Sequence, residues 1–310
     1  MERPTAGLAS QGKPPKQVPR IGDLVIYFLR LGTFGFGGPV ALCGLMEKEL
    51  VQDRGWLTRQ EMRDTIAISQ SLPGPLAIQV GIFASYLRGG FWGAWAGGWA
   101  FILPNFLIVA VLGALYVHFG ELSWMTAVFY GVSPAVIALT LHSLTFGSGL
   151  VIVPFLEKGL VQQTGWLNGR EFLVAVAVGM LSPGPVVITA TFVGYLVAGF
   201  WGSLIATVGI FLPSFLLILF VAPILIRNRN NVYVQGFVKG AYGAAIGTIL
   251  GACVLLSKIA IGDWLTALIA LGSLVVLFKW KISNPLLVAI TAAIGLIAFP
   301  LLQPHWVLLK

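Results

Sequence analysis

Ser71-Leu-Pro-Gly-Pro-Leu-Ala-Ile, residues 71–78, returns as Leu181-Ser-Pro-Gly-Pro-Val-Val-Ile, residues 181–188. Pro-Gly-Pro stops a helix twice over. Neither proline donates a backbone hydrogen bond, and the glycine adopts dihedrals that other residues avoid. Both copies sit inside apolar segments. A helix broken in lipid strands backbone polar groups, which is tolerated only where protein or a wet cavity takes them up. The chain does this twice, its two Pro-Gly-Pro runs 110 residues apart. The break is therefore read as a working part of the protein.

The surrounding chain has 310 residues, 57% hydrophobic and 10% charged, with a mean hydropathy of +0.91. Soluble domains carry about 25% charge. The expected fold is an all-α polytopic membrane protein, with roughly 8–10 transmembrane or re-entrant helices, because several apolar runs exceed the length that crosses a bilayer. The net charge of +8 is read as the positive-inside bias of cytoplasmic loops. The sharper alternative is that some cations face an anionic substrate. Nucleic acid is not an expected partner.

Residues 1–20 hold Arg3, Lys13, Lys16 and Arg20 and lack an apolar core. They read as a disordered cytoplasmic tail rather than a signal peptide. Cys43 and Cys253 have no metal or disulfide spacing. His118, His142 and His305 do not cluster. No phosphate loop, Ser–His–Asp order or paired catalytic carboxylate emerges. No cofactor, metal or enzymatic activity is expected.

Working outward from the breaks, the chain repeats itself. Phe36-Gly37-Gly38 matches Phe146-Gly147-Ser148, Glu47-Lys48 matches Glu157-Lys158, and Gly55-Trp56-Leu57 matches Gly165-Trp166-Leu167. Further on, Gly90-Phe-Trp-Gly matches Gly199-Phe-Trp-Gly, and Leu103-Pro104 matches Leu212-Pro213. The division is a first repeat over 21–143 and a second over 144–310. The copies are unequal: helices are expected over 232–257, 260–280 and 284–302, and only the first has a counterpart in copy one. Residues 21–45 either cross once or go in and return at Gly37-Gly38-Pro39. Thr58 and Glu61 form a capping-box pattern, so a helix should start near Arg59. The charged stretch 46–63 reads as a loop, with Glu61 and Asp64 in loop positions.

Taken in order, FGFGGPVA with FGSGLVIVP, GWL with GWL, SLPGPLAIQVG with LSPGPVVITATFVGY, and FILPNF with FLPSF resemble the two halves of the chromate transporter family. The resemblance covers roughly residues 21–302. It implies a multi-pass inner-membrane protein with a cytoplasmic N-terminus that extrudes chromate, driven by the proton-motive force. Sulfate, of similar size and charge, is the natural competitor. The expected partners are the lipid bilayer and the oxyanion, with a homodimer left open. Compared with a full two-half member, this chain lacks helices around the junction at Ser143 and Leu144. A degenerate or partner-dependent protein that does not transport alone, or a sulfate-type anion transporter, is the competing reading.

An oxyanion suits the breaks. A helix restarts at Leu76 and at Val186, and a helix N-terminus offers free N–H donors and a positive dipole end. Discontinuous helices serve inverted-repeat transporters in this way. The candidate substrate-binding residues are Arg30, Gly37, Gly38, Pro73, Gly74, Pro75 and Gln79 in copy one. In copy two they are Gly147, Gly149, Pro183, Gly184, Pro185 and Thr189, with Thr191 nearby. Arg30 is the strongest cation, because an intramembrane arginine is costly and its fork matches an oxyanion; pairing with Asp23 or snorkelling is the plain alternative. Lys48 and Lys158 are candidate entrance charges. Arg88 is expected to cap carbonyls or anchor the interface.

Overall fold

Within the segment Leu76–Phe119, assigned as one helix of 44 residues, Gly90 has φ 61° and ψ −152°. That region is open in practice to glycine alone. The contacts show what it does. A Cβ on Gly93 would lie 2.7 Å from the Ser85 carbonyl oxygen, one on Gly98 would lie 2.9 Å from Ile82, and one on Gly81 would lie 3.1 Å from Phe101. Residues 82 and 98 would be about 24 Å apart along a straight helix. The chain therefore reverses at Gly90, and the helix is an antiparallel hairpin.

The computed structural model describes residues 19–36, 38–72, 74–119, 123–143, 156, 158–182, 186–227, 260–279 and 284–302, with isolated positions between 231 and 258. Among them there is no strand. In order, the helices are α1 (Ile21–Phe34), α2 (Gly38–Glu47), α3 (Arg59–Ser71), α4 (Leu76–Phe119) and α5 (Ser123–Ser143). Then come α6 (Gly169–Leu181), α7 (Thr189–Leu216), α8 (Ala222–Arg227), α9 (Trp264–Lys279) and α10 (Asn284–Leu302). Each run after α2 and before α6 is a six-residue π-helix, Lys48–Asp53 and Lys158–Gln163. The tail 1–18 and most of 232–257 lie outside the described residues.

The sequence repeat is also a repeat of local devices. After each π-helix comes a glycine with φ 62°, Gly55 and Gly165. The next backbone amides fold back: Leu57 N–H donates to Leu50 O at 3.1 Å and Leu167 N–H to Leu160 O at 3.3 Å. A capping box follows in both. Thr58 N–H donates to Glu61 Oε2 at 2.7 Å, and Asn168 N–H to Glu171 Oε2 at 2.8 Å. Each box opens a 13-residue helix, α3 or α6. Copy two then repeats the reversal, at Gly199 with φ 60° and ψ −150°. There Gly194 packs against Gly202, and the Thr191 and Thr207 hydroxyls meet at 2.7 Å.

These features correct part of the sequence reading. Glu61 and Asp64 sit on α3, not in a loop, because the capping box starts the helix at Arg59. The loop expected over 46–63 is helical to Asp53. Residues 21–45 are bent, since α1 stops at Phe34 and α2 starts at Gly38.

Cα proximity divides the chain into two compact units. The first holds residues 1–105, 183–185 and 208–244, and the second 106–182, 186–207 and 245–310. Neither is a sequence repeat. In the first, α1 lies along both arms of α4: Phe28 meets Phe101 with ring centroids 5.7 Å apart, and a Cβ on Gly81 would lie 3.1 Å from Phe28. In the second, α5 packs on α9 and α10. Gly131 and Gly295 let α5 and α10 touch backbone to backbone; a Cβ on Gly131 would lie 2.7 Å from Gly295 N. Tyr130 O–H donates to Asp263 Oδ2 at 2.7 Å, and Asp263 caps α9 by accepting from Thr266 N–H at 2.8 Å. Between apolar helices in lipid, close packing of this kind replaces the hydrophobic driving force.

Candidate functional site

At the start of α3, Glu61 forms an ion pair with Arg88, at the end of the first arm of α4. The two are 27 residues apart. If the chain ran straight through Pro-Gly-Pro, their backbones would be about 40 Å apart. So α3 and the arm 76–89 run side by side in opposite directions, and Leu72, Gly74 and Pro75 lie at the tip of a hairpin. Each arm is roughly 20 Å long.

The base of this hairpin is built from several elements. Arg88 Nε donates to the Trp56 carbonyl. Trp56 meets Tyr27 of α1 with ring centroids 5.9 Å apart. The Arg54 guanidinium lies 5.1 Å from the Tyr27 ring centroid and 4.8 Å from that of Trp56. Tyr27 and Arg54 flank α2, so the segment 21–53 also goes out and returns. The Gly-Trp-Leu loop gathers the ends of both excursions.

At the tip, Gly74 has φ 139°. A Cβ there would lie 2.5 Å from Gln79 Nε2 and 2.9 Å from Ser214 Oγ. Only glycine fits. Gln79 and Ser214 are both buried. Gln79 N–H donates to Pro75 O at 3.0 Å, which makes Pro75 the first link of the restarted helix. Ser214 comes from copy two, in Leu212-Pro213-Ser214. Beside it Phe215 stacks on Trp95 at 4.6 Å and on Trp99 at 5.4 Å. One tip thus draws polar groups from both copies.

Further buried polar side chains of this unit lack hydrogen-bond partners. Thr65 and Ser69 occupy one face of α3, and Asn105 lies on the second arm of α4. The Thr65 and Ser69 hydroxyls and both amide atoms of Asn105 have no hydrogen-bond partner. The hairpin register, with Gly98 against Ile82 and Phe101 against Gly81, puts Asn105 level with Ala77, at the tip end.

The residues singled out from sequence distribute as follows. Gly74, Pro75 and Gln79 meet at the tip, and Gly38 opens α2. Arg30 is on an exposed face of α1. Asp23 does not pair with it, because the Asp23 carboxylate accepts from Arg20 N–H at 2.9 Å as the α1 cap. Lys48 and Lys158 are exposed, at the start of the two π-helices. Thr189 is buried at the start of α7, in the second unit. Gly37, Pro73, Gly147, Gly149, Pro183, Gly184 and Pro185 lie outside the described residues, as does His305. Arg88 binds a carbonyl, as expected, and also pairs with Glu61. Cys43 and Cys253 are buried free thiols. Among the described residues no His, Cys, Asp or Glu group is arranged for a metal.

Sequence reasoning missed Ser214 and Asn105 as site residues. The signal was present: they hold equivalent places in FLPSF and FILPNF. Polar side chains directly after a helical proline, within apolar runs, needed an explanation.

A family model for the chromate transporter matches the chain twice, over residues 22–144 and 139–296. The chromate transport protein of Cupriavidus metallidurans is 37% identical over 376 positions, covering 91% of this chain and 94% of that protein. The probable chromate transport protein of Synechococcus elongatus is 35% identical, covering 89% of this chain and 95% of that one. A chromate transport protein of Pseudomonas aeruginosa is 23% identical, covering 93% and 94%. The 376 aligned positions of the first exceed the 310 residues available here, so at least 66 of them face no residue of this chain. No solved structure gives a significant match. With two matches that together span most of its length, and relatives above 30% identity along nearly the whole chain, this membrane protein belongs to the chromate transporter family.

Proposed function

We propose that the chain is a secondary transporter of a tetrahedral oxyanion, chromate first and sulfate as competitor, working as an exporter driven by the proton-motive force. The observation that carries this is the tip at Gly74, where a helix restart, Gln79 and Ser214 converge. Backbone N–H groups at a helix start favour an anion. Re-entrant arms of roughly 20 Å, based at one interface, would carry that tip past the middle of a hydrocarbon core about 30 Å thick. Lys48 and Lys158, exposed on equivalent π-helices, would raise the local anion concentration at the entrances. The names of the relatives, chromate transport proteins, supply the substrate.

The repeats are assigned to 21–143 and 144–310, in the inner membrane, with the N-terminus cytoplasmic and a homodimer as the candidate assembly. The deciding measurement is chromate uptake into inside-out vesicles, with and without a proton gradient. Gradient-dependent uptake that sulfate inhibits is expected. No uptake at normal protein level would sink the reading. Reporter fusions after residues 20, 60, 120, 165 and 230 test the orientation of the two repeats; Gly-Trp-Leu loops on the same side would end the inverted arrangement.

A second reading is favoured by the 66 or more missing positions and by Trp166. Trp56 is 6% exposed beneath Tyr27 and Arg54, whereas its counterpart Trp166 is 61% exposed. By the 110-residue offset, the place of α1 in copy two falls to α5, which packs on α9 and α10. On this reading the chain needs a second protein that supplies the absent helices. Transport that appears only on co-expression with a complementary half would establish it.

A further inference from the structure

We infer that Asn105 and Ser214 form the neutral half of the substrate site, donating amide and hydroxyl hydrogen bonds to the oxyanion at the tip of the α3–α4 hairpin. This rests on the transport reading above and names residues that sequence reasoning did not include.

Asn105 is buried with its hydrogen bonds out of balance. Asn105 is 0% exposed, and neither its carbonyl oxygen nor its NH2 group has a partner. A side-chain amide carries two donors and two acceptor positions. Burying it unpaired destabilises the fold, while an apolar residue of the same shape would not. Thr65 and Ser69, one helical turn apart on α3, repeat the imbalance with two unpaired hydroxyls. Among the unpaired side chains of this unit, Thr65, Ser69 and Asn105 are all 1% exposed or less, and a guest that pairs with them accounts for the three.

Position and charge narrow the guest. Asn105 is level with the helix restart, and Ser214 Oγ faces Gly74 at that same restart. The two follow prolines in the matched motifs of the two copies, so each copy contributes one neutral donor to the same kind of place. Among the described residues of this unit no cation is buried at the tip: Arg30 is exposed, and Arg88 is held by Glu61 and the Trp56 carbonyl at the hairpin base. A dianion held by N–H and O–H donors avoids the desolvation of a partner cation and leaves more readily. The guest class is therefore a small, dehydrated tetrahedral oxyanion.

The test uses the full chain in proteoliposomes, with chromate as probe and initial rates over a range of concentrations. Asn105→Leu should raise KM roughly ten- to a hundredfold, the loss of hydrogen bonds to a charged group. Its thermal unfolding midpoint in detergent should hold or rise, because the unpaired amide is gone. Ser214→Ala should raise KM by a smaller factor. Unchanged KM in Asn105→Leu overturns the inference, and so does a fall in the midpoint that accompanies the loss, which would mark a structural role. If the wild-type chain moves no chromate, the transport reading falls, and calorimetric chromate binding to the purified protein decides the inference instead. Weaker binding by Asn105→Leu than by wild type upholds it. Equal binding, or no binding by wild type, overturns it.

Discussion

Glu61 and Arg88 meet across 27 residues that include a double proline break. Their side chains are 17% and 7% exposed. Glu61 does two jobs. It closes the capping box on Thr58 N–H and receives the Arg88 guanidinium. This contact sets α3 and the first arm of α4 antiparallel, as a hairpin rather than a straight continuation.

Removing Arg88 leaves Glu61 partly buried without its counter-charge and frees the Trp56 carbonyl. Arg88→Met should therefore cost roughly 3 kcal/mol of stability. Glu61→Gln should cost less, because the amide oxygen still accepts from Thr58 N–H. The double variant should fall short of the sum, as expected for residues in contact. Thermal unfolding in detergent reads all three. Additive losses would show that the pair does not clasp the hairpin.

Gly90 and Gly199 have open space where a Cβ would go, so their substitution tests dihedral strain without a clash. With ψ near −150°, neither asparagine nor alanine is at ease. Gly90→Ala and Gly199→Ala should each destabilise by about 1–3 kcal/mol, and Asn should rescue neither. Rescue by Asn would mean that the turn is left-handed helical rather than the geometry seen.

Gly131 and Gly295 fail differently. A Cβ on Gly295 would lie 2.6 Å from Gly131 N, so alanine at either position must push α10 off α5. Each single variant should lower stability by roughly 2 kcal/mol, the scale of overpacking. The second substitution should add little, since the first has already opened the contact. Cysteines placed on α5 and α10 should crosslink more slowly in Gly131→Ala. Unchanged crosslinking would count against the packing.

Lys48 and Lys158 are exposed, at the start of the two π-helices. If they steer anions, the double variant Lys48→Gln with Lys158→Gln should lower the initial uptake rate at low salt. It should approach wild type as ionic strength rises, because screening erases long-range attraction. A deficit that persists at high salt would point to a direct binding role.

Sequence alone determined much of this protein. The all-α fold, the two matched copies and the start of α3 at Arg59 follow from local chemistry. Capping boxes, missing N–H groups and hydrophobic runs act within a few residues of themselves. The direction of the chain after a break is different. Pro-Gly-Pro permits both a straight continuation and a reversal, and the choice belongs to contacts such as Glu61 with Arg88, 27 residues apart. The partner of Gly74 is likewise non-local: Ser214 reaches it from the other copy, 140 residues along the chain. Arg30, a conspicuous charge in an apolar run, was set on an exposed face by the packing of Phe28 and Leu31 toward the interior. A helical face points inward or outward only once its neighbours are in place, and that is decided by the tertiary structure.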